Sequence, residues 1–127
     1  MGSNFKEQQN ILSSQKHAIN GILSIVKTER NFRIQLGVAV LVIIAATYLE
    51  ISHNDWVAVG FLIALVLITE GFNSVIEAVC DTISKEFRVN IKYAKDVSAG
   101  AVLLSAILSL ALGIIIFLPY ISDLLAK

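Results

Sequence analysis

Three acids and an amide recur at helical spacing in this chain: Glu70, Asn73, Glu77 and Asp81 stand at i, i+3, i+7 and i+11. At about 100° per residue, four side chains so spaced share one stripe of a helix. The stretch that carries them, 69–81, follows an apolar run from Trp56 to Ile68 without a turn signal, so one helix is expected to run through both. A carboxylate at the centre of a membrane-spanning helix costs roughly 2.5–3.5 kcal/mol. Polar glue between helices accounts for a single Asn, each such contact contributing about 0.6 kcal/mol. It accounts poorly for three acids, because like charges at this spacing repel unless protons or cations come between them. Oxygen ligands of this kind suit Mg²⁺, which takes one or two carboxylates and leaves its other positions to water and phosphate.

Around the same end of the chain's apolar runs stand further candidates: Glu29, Arg88, Lys95 and Asp96. Acids can hold Mg²⁺, Lys95 and Arg88 can neutralise phosphate, and Glu70 is deep enough to act as a desolvated base. Phosphoryl transfer asks mainly for positioning and charge neutralisation, so this set suffices for it. There is no G-x-x-x-x-G-K-[ST] loop and no kinase Gly-rich loop, so a nucleotide site here must use another architecture. An acceptor reached at the depth of Glu70 must be a lipid alcohol whose hydroxyl sits at the interface. Two readings compete. A cation or proton carrier would need polar groups through the whole span, and Trp56 to Ile68 has none. A non-catalytic membrane subunit would use Glu70 for assembly rather than turnover. No nucleic-acid partner is expected.

The elements that must position these residues are legible in composition and charge. Of 127 residues 56% are hydrophobic and 16% charged, which is membrane-protein composition. Ten basic and ten acidic residues cancel, but their placement is uneven. Lys6, Lys16, Lys27, Arg30 and Arg33 precede the first apolar run, and Lys85, Arg88, Lys92 and Lys95 separate the second from the third. Glu50 to Asp55, between the first two, has no Lys or Arg. The positive-inside rule then puts the N-terminus and the second loop in the cytoplasm, with the C-terminus outside. The expected organisation is a single membrane domain over 1–127: an amphipathic interfacial helix at about 10–30, spans at 34–51, 56–80 and 96–118, and a cytoplasmic extension of the second span. Ser52 to Asp55 is expected as a tight external turn, Asp81 to Tyr93 as a cytoplasmic loop that, lacking Gly and Pro, could form a helical hairpin, and Pro119 as the end of the third span. Ser98, Ala101, Ser105 and Ser109 offer a small-residue face for close helix approach. Three helices shield a polar stripe poorly, so an oligomer is expected. Cys80 is the only cysteine and allows no intrachain disulfide. No cleavable signal pattern is expected, since the first apolar run comes late, and Lys6 stands where a myristoylation start needs Ser or Thr.

The segment from Glu70 to Asp81 resembles the E-x-x-N-[ST]-x-[IL]-E-x-x-x-D signature of the prokaryotic diacylglycerol kinase family. Ala94-Lys95-Asp96, with Ser98-Ala99-Gly100-Ala101-Val102 after it, resembles that family's A-K-D motif, and Lys27 to Arg33 its E-x-N-x-[RK] segment. The resemblance runs in order from about Gly21 across nearly all of the chain. It implies an all-α integral membrane fold, a homotrimer of three-span subunits with an N-terminal surface helix, in the bacterial cytoplasmic (inner) membrane. It implies ATP and Mg²⁺ as cofactors, Glu70 as the base that takes the lipid hydroxyl proton, with Asn73 and Lys95 beside it, and Glu29 and Glu77 as cation ligands next to ATP. Lys95 and Asp96 match phosphate contacts, with Asp81 in the same nucleotide-binding set. Glu86-Phe87-Arg88 lies where an acidic-aromatic-His segment meets the nucleotide, with Arg88 in place of the His. His17 stands where some members carry an aromatic nucleotide contact. Asn31, Phe32 and Arg33 would border the lipid's way in, and Ala99 a substrate contact. The spellings Thr28-Glu29-Arg30-Asn31 and Ala99-Gly100-Ala101-Val102 are closer to the branch that phosphorylates undecaprenol, with diacylglycerol the alternative substrate.

Overall fold

In a computed structural model, the residues described are 11–83 and 88–126; Glu86 and Phe87 therefore lie outside them. Four helices follow one another: α1 (Ile11–Thr28), α2 (Arg30–Tyr48), α3 (His53–Ile83) and α4 (Val89–Leu125). Among the described residues there is no strand. The last three helices are long and apolar enough to cross a membrane. At 1.5 Å per residue α3 extends about 46 Å, well beyond a hydrocarbon core of roughly 30 Å. The excess at its C-terminal end is where Glu77 and Asp81 stand. α3 packs mainly on α4 and secondarily on α2.

The segment between the second and third spans is more helical than its charge suggests. α3 continues through Asp81 to Ile83 and α4 is under way by Val89, so Lys92 and Lys95 stand on a helix. Without Gly or Pro between Asp81 and Tyr93, each helix propagates from the span that nucleated it. Pro119 does not end α4 either, because the helix runs on to Leu125 with Pro119 inside it. Proline denies the Ile115 carbonyl its usual partner, an interior cost of about 3 kcal/mol. Packing on both sides holds the helix together: Ile116, Phe117 and Tyr120 close over the cluster of Ala46, Ile51 and Val59.

The reversal after α2 also falls earlier than Ser52 to Asp55. It is made at Leu49–Ser52, with Glu50 at φ 50°, and α3 begins at His53. Ser52 then acts as the helix cap. Its Oγ accepts the Asp55 backbone N–H at 3.3 Å and donates to Asp55 Oδ2 at 2.7 Å. In a capping box the third residue's side chain returns to the cap N–H. Here a phenol relays that contact, with Tyr120 Oη accepting Ser52 N–H at 3.0 Å and donating to Asp55 Oδ2 at 2.5 Å. One α4 side chain thus ties the α2–α3 turn to the end of the bundle. Tyr120→Phe keeps the ring packing and removes both contacts. It should lower the thermal unfolding midpoint in detergent by on the order of 3 °C and leave turnover unchanged; circular dichroism on heating measures the first and a kinase assay the second.

Apart from Ala39 and Cys80, the buried residues divide by chemistry along the bundle. Ala46, Ile51 and Val59 form the apolar cluster at the turn end, whereas Glu70, Asn73, Ser98 and Ser105 are buried toward the other. A water-soluble core would reverse this preference, but hydrocarbon solvates leucine and leaves polar groups to seek each other. Ser98, Ser105 and Ser109 do line the α3–α4 contact: Ser105 Oγ meets Thr69 Oγ1 at 2.8 Å and Ser109 Oγ donates to the Leu62 carbonyl at 3.3 Å. Ala101 is exposed, because three residues from Ser98 is a turn of about 300° that carries it off the contact face, and Val102, four residues on, is the half-buried one.

Candidate functional site

The stripe on α3 faces inward. Glu70 and Asn73 are buried at 3% and 8% exposure, Glu77 is half-buried, and Asp81 is exposed where α3 emerges. Each side chain has a partner from the stripe itself or from a neighbouring helix. Gln35 of α2 donates its Nε2–H to Glu70 Oε2 at 2.9 Å. Ser98 of α4 donates to Asn73 Oδ1 at 2.7 Å, while Asn73 Nδ2 donates to Glu77 Oε1 at 3.3 Å. Lys95 Nζ reaches Asp81 Oδ1 at 2.5 Å. The result is a polar line between α2, α3 and α4 that begins deep at Glu70 and ends in solvent at Lys95.

The two ends of that line differ in how firmly they are held. At Glu70 a hydrogen bond to a charged group inside low dielectric contributes about 1.5–3 kcal/mol. At the other end the side chains of Lys95 and Asp81 are 35% and 61% exposed, so water screens their attraction. Lys95 is therefore free to exchange Asp81 for a better anion, and a phosphate is one.

Gln35 escaped the sequence reading. The signal was present: an amide one residue into an otherwise apolar span has no reason to be there unless something polar faces it. It also closes one end of an apolar groove of about 510 Å³, lined by α2, α3 and α4, that includes Leu62, Leu110 and Ile121. From Ala106 to Ile121 the groove follows α4 for about 22 Å. Ser109 is the other polar side chain on the wall, and its hydroxyl is bonded to the Leu62 carbonyl. Gln35 Oε1 is buried without a partner among the described residues, a state that costs about 1–3 kcal/mol.

The remaining candidates are dispersed. Glu29 is the non-helical residue between α1 and α2 (φ −92°, ψ 112°), half-buried, with Oε1 taking a hydrogen bond from Thr28 at 3.3 Å. Arg33 donates through Nη1 to the carbonyls of Lys27 and Val26 at 2.9 and 3.2 Å. It thereby satisfies the open end of α1 and fixes the elbow that holds Glu29. Phe32 is half-buried beside it, and Asn31 is exposed. Asp96 is exposed and paired with Lys92 one turn earlier, and Ala99 is on the exposed side of α4. Arg88 borders a separate pocket with Cys80, Ile83 and Ala94, and His17 projects from exposed α1. Among the described residues no three His, Cys, Asp or Glu side chains come together as a cage for a metal.

A bundle of three helices long and apolar enough to cross a membrane, with carboxylate, amide, hydroxyl and ammonium groups sorted into one line between them, is that of a multi-pass membrane protein. Its relatives say which. A profile of the prokaryotic diacylglycerol kinase family matches residues 16–117. The chain is 35% identical over 113 residues to an undecaprenol kinase of Bacillus subtilis (strain 168), an alignment spanning 89% of this chain and 92% of that one. It is 36% identical over 117 residues to a diacylglycerol kinase of Synechocystis (91% and 67% of the two chains). It is 33% identical over 110 residues to the diacylglycerol kinase of Escherichia coli K12 (86% and 89%). The chain belongs to the prokaryotic diacylglycerol kinase family and is a lipid kinase.

Proposed function

We propose that this kinase transfers the γ-phosphoryl group of ATP to the hydroxyl of undecaprenol at the cytoplasmic face of the bacterial inner membrane. The observation that carries the reading is the polar line from Glu70 to Lys95 beginning at the Gln35 end of an apolar groove. A lipid alcohol has the same polarity profile, a hydroxyl on a long apolar chain, and the groove volume is that of a ligand pocket. Glu70 Oε1 takes the hydroxyl proton as the lipid oxygen bonds to the γ-phosphorus, and the bond from that phosphorus to the β,γ-bridging oxygen breaks to release ADP. Asn73, held by Ser98, keeps Glu77 oriented. Lys95 leaves Asp81 to neutralise phosphate, with Asp96, Arg88 and the Glu86-Phe87 segment around the nucleotide.

The donor set fits Mg²⁺. Glu77 has an oxygen beyond the one that Asn73 contacts, Glu29 is held at the elbow, and two carboxylates with phosphate and water complete what this cation needs. Glu29 and Glu77 would hold it, and its chemistry would be neutralisation of the phosphate charge that builds as the bond breaks.

The exposed apolar side chains of α1, Ile19, Ile22 and Leu23, support a helix lying in the inner interface, with the N-terminus cytoplasmic as the basic residues require. A homotrimer, as the resemblance implies, would let neighbouring subunits complete the shielding of a polar stripe that three helices cover poorly. For the substrate, the Thr28-to-Asn31 and Ala99-to-Val102 spellings favour undecaprenol, and diacylglycerol is the second reading because relatives of both names match at similar identity. Purified protein in bilayers, given labelled ATP and each alcohol in turn, should phosphorylate undecaprenol with the highest kcat/KM. A higher value with diacylglycerol would reverse the assignment.

A further inference from the structure

Gln35 has a buried acceptor with no donor, attached to the same amide whose N–H already holds Glu70. An amide and a carboxylate can make only one hydrogen bond of this kind, from N–H to oxygen. An amide and a carboxylic acid can make two, because the acid's O–H supplies the donor that the amide oxygen lacks. The unmatched Oε1 of Gln35 is therefore unsatisfied in one protonation state of Glu70 and satisfied in the other.

We infer that Gln35 is a positioning residue that receives Glu70 after it has been protonated. Before transfer, the Nε2–H bond fixes Glu70 Oε2 and leaves Oε1 to face the lipid hydroxyl. As the lipid oxygen bonds to phosphorus, its proton passes to Glu70, and the new O–H of the acid donates to Gln35 Oε1. The contact that forms needs the proton to have moved, so it stabilises the protonated acid and draws the transfer forward rather than tightening ground-state binding. Nothing else among the described residues offers Gln35 Oε1 a donor. The inference rests on Glu70 as the base.

Two substitutions separate it from a packing role. Gln35→Met keeps the length and loses both donor and acceptor. It should reduce kcat about tenfold, with the KM values for ATP and lipid within about twofold of wild type. Gln35→Glu restores the pattern, since two carboxyl groups at hydrogen-bonding distance hold one proton between them. That variant should keep kcat within about threefold of wild type near neutral pH. Steady-state kinetics in bilayers reads both. A Gln35→Met enzyme with wild-type kcat, or a Gln35→Glu enzyme as slow as Gln35→Met, overturns the inference while leaving Glu70 as base. If Gln35→Met cannot be purified folded, the Gln35→Glu rate decides alone. A Glu70→Gln enzyme that turns over normally would instead remove the base, and this inference with it.

Discussion

Glu70→Gln should lower kcat by about 10³-fold without disturbing the bundle. The amide has the same shape as the carboxylate, and its carbonyl oxygen still accepts the hydrogen bond that Gln35 makes to Glu70 Oε2. The helix around it is untouched, because Ser74 bonds to the backbone carbonyl of Glu70 rather than to its side chain. What disappears is a proton acceptor at a site from which water is excluded. A buried carboxylate is also the costliest group on α3, so its neutral replacement should leave thermal stability equal or higher. The two effects together distinguish a base from polar glue. Glue would lose stability and keep whatever rate remained, whereas a base loses rate and keeps stability. Labelled phosphate transfer and thermal unfolding of the same preparation measure both, and turnover within tenfold of wild type would show that another group takes the proton.

Glu77→Gln should act differently. Glu77 is half-buried seven residues, or two turns, from Glu70 and accepts from Asn73 through Oε1, a contact that an amide oxygen can still make. Its charge is what the substitution removes. If Glu77 holds Mg²⁺ with Glu29, the Mg²⁺ concentration for half-maximal rate should rise at least about tenfold and kcat/KM for ATP should fall by about 10². The KM for lipid should not change if the lipid hydroxyl meets the line at Gln35 and Glu70, as proposed. A titration of rate against Mg²⁺ at fixed ATP shows the shift. An unchanged midpoint would assign the cation to other residues.

Much of this was legible in the order of residues alone. The period of Glu70, Asn73, Glu77 and Asp81 put them on one stripe, and three apolar runs marked three spans. Both are local or nearest-element properties, settled by helix geometry and by the cost of burying charge in hydrocarbon. The linked motifs led to the same family that the relatives define. Helix ends were less legible, because helix continuation past Pro119 depends on what the neighbouring segment packs against, which hydropathy does not record. The resemblance set Arg33 at the border of the lipid's way in, and only the structure shows that its side chain also bonds the α1 carbonyls that the elbow at Glu29 leaves open.

The pairings were decided only in three dimensions. Gln35 and Glu70 are 35 residues apart, Asn73 and Ser98 are 25 apart, and Tyr120 reaches Asp55 across 65. No periodicity within one helix can state which side chain of another stands opposite, because that depends on how the helices rotate and slide as their small residues come into contact. The chain order determined that Glu70, Glu77 and Asp81 would share one face of a helix; the packing of α2 and α4 on α3 determined the partners that Glu70 and Asp81 found.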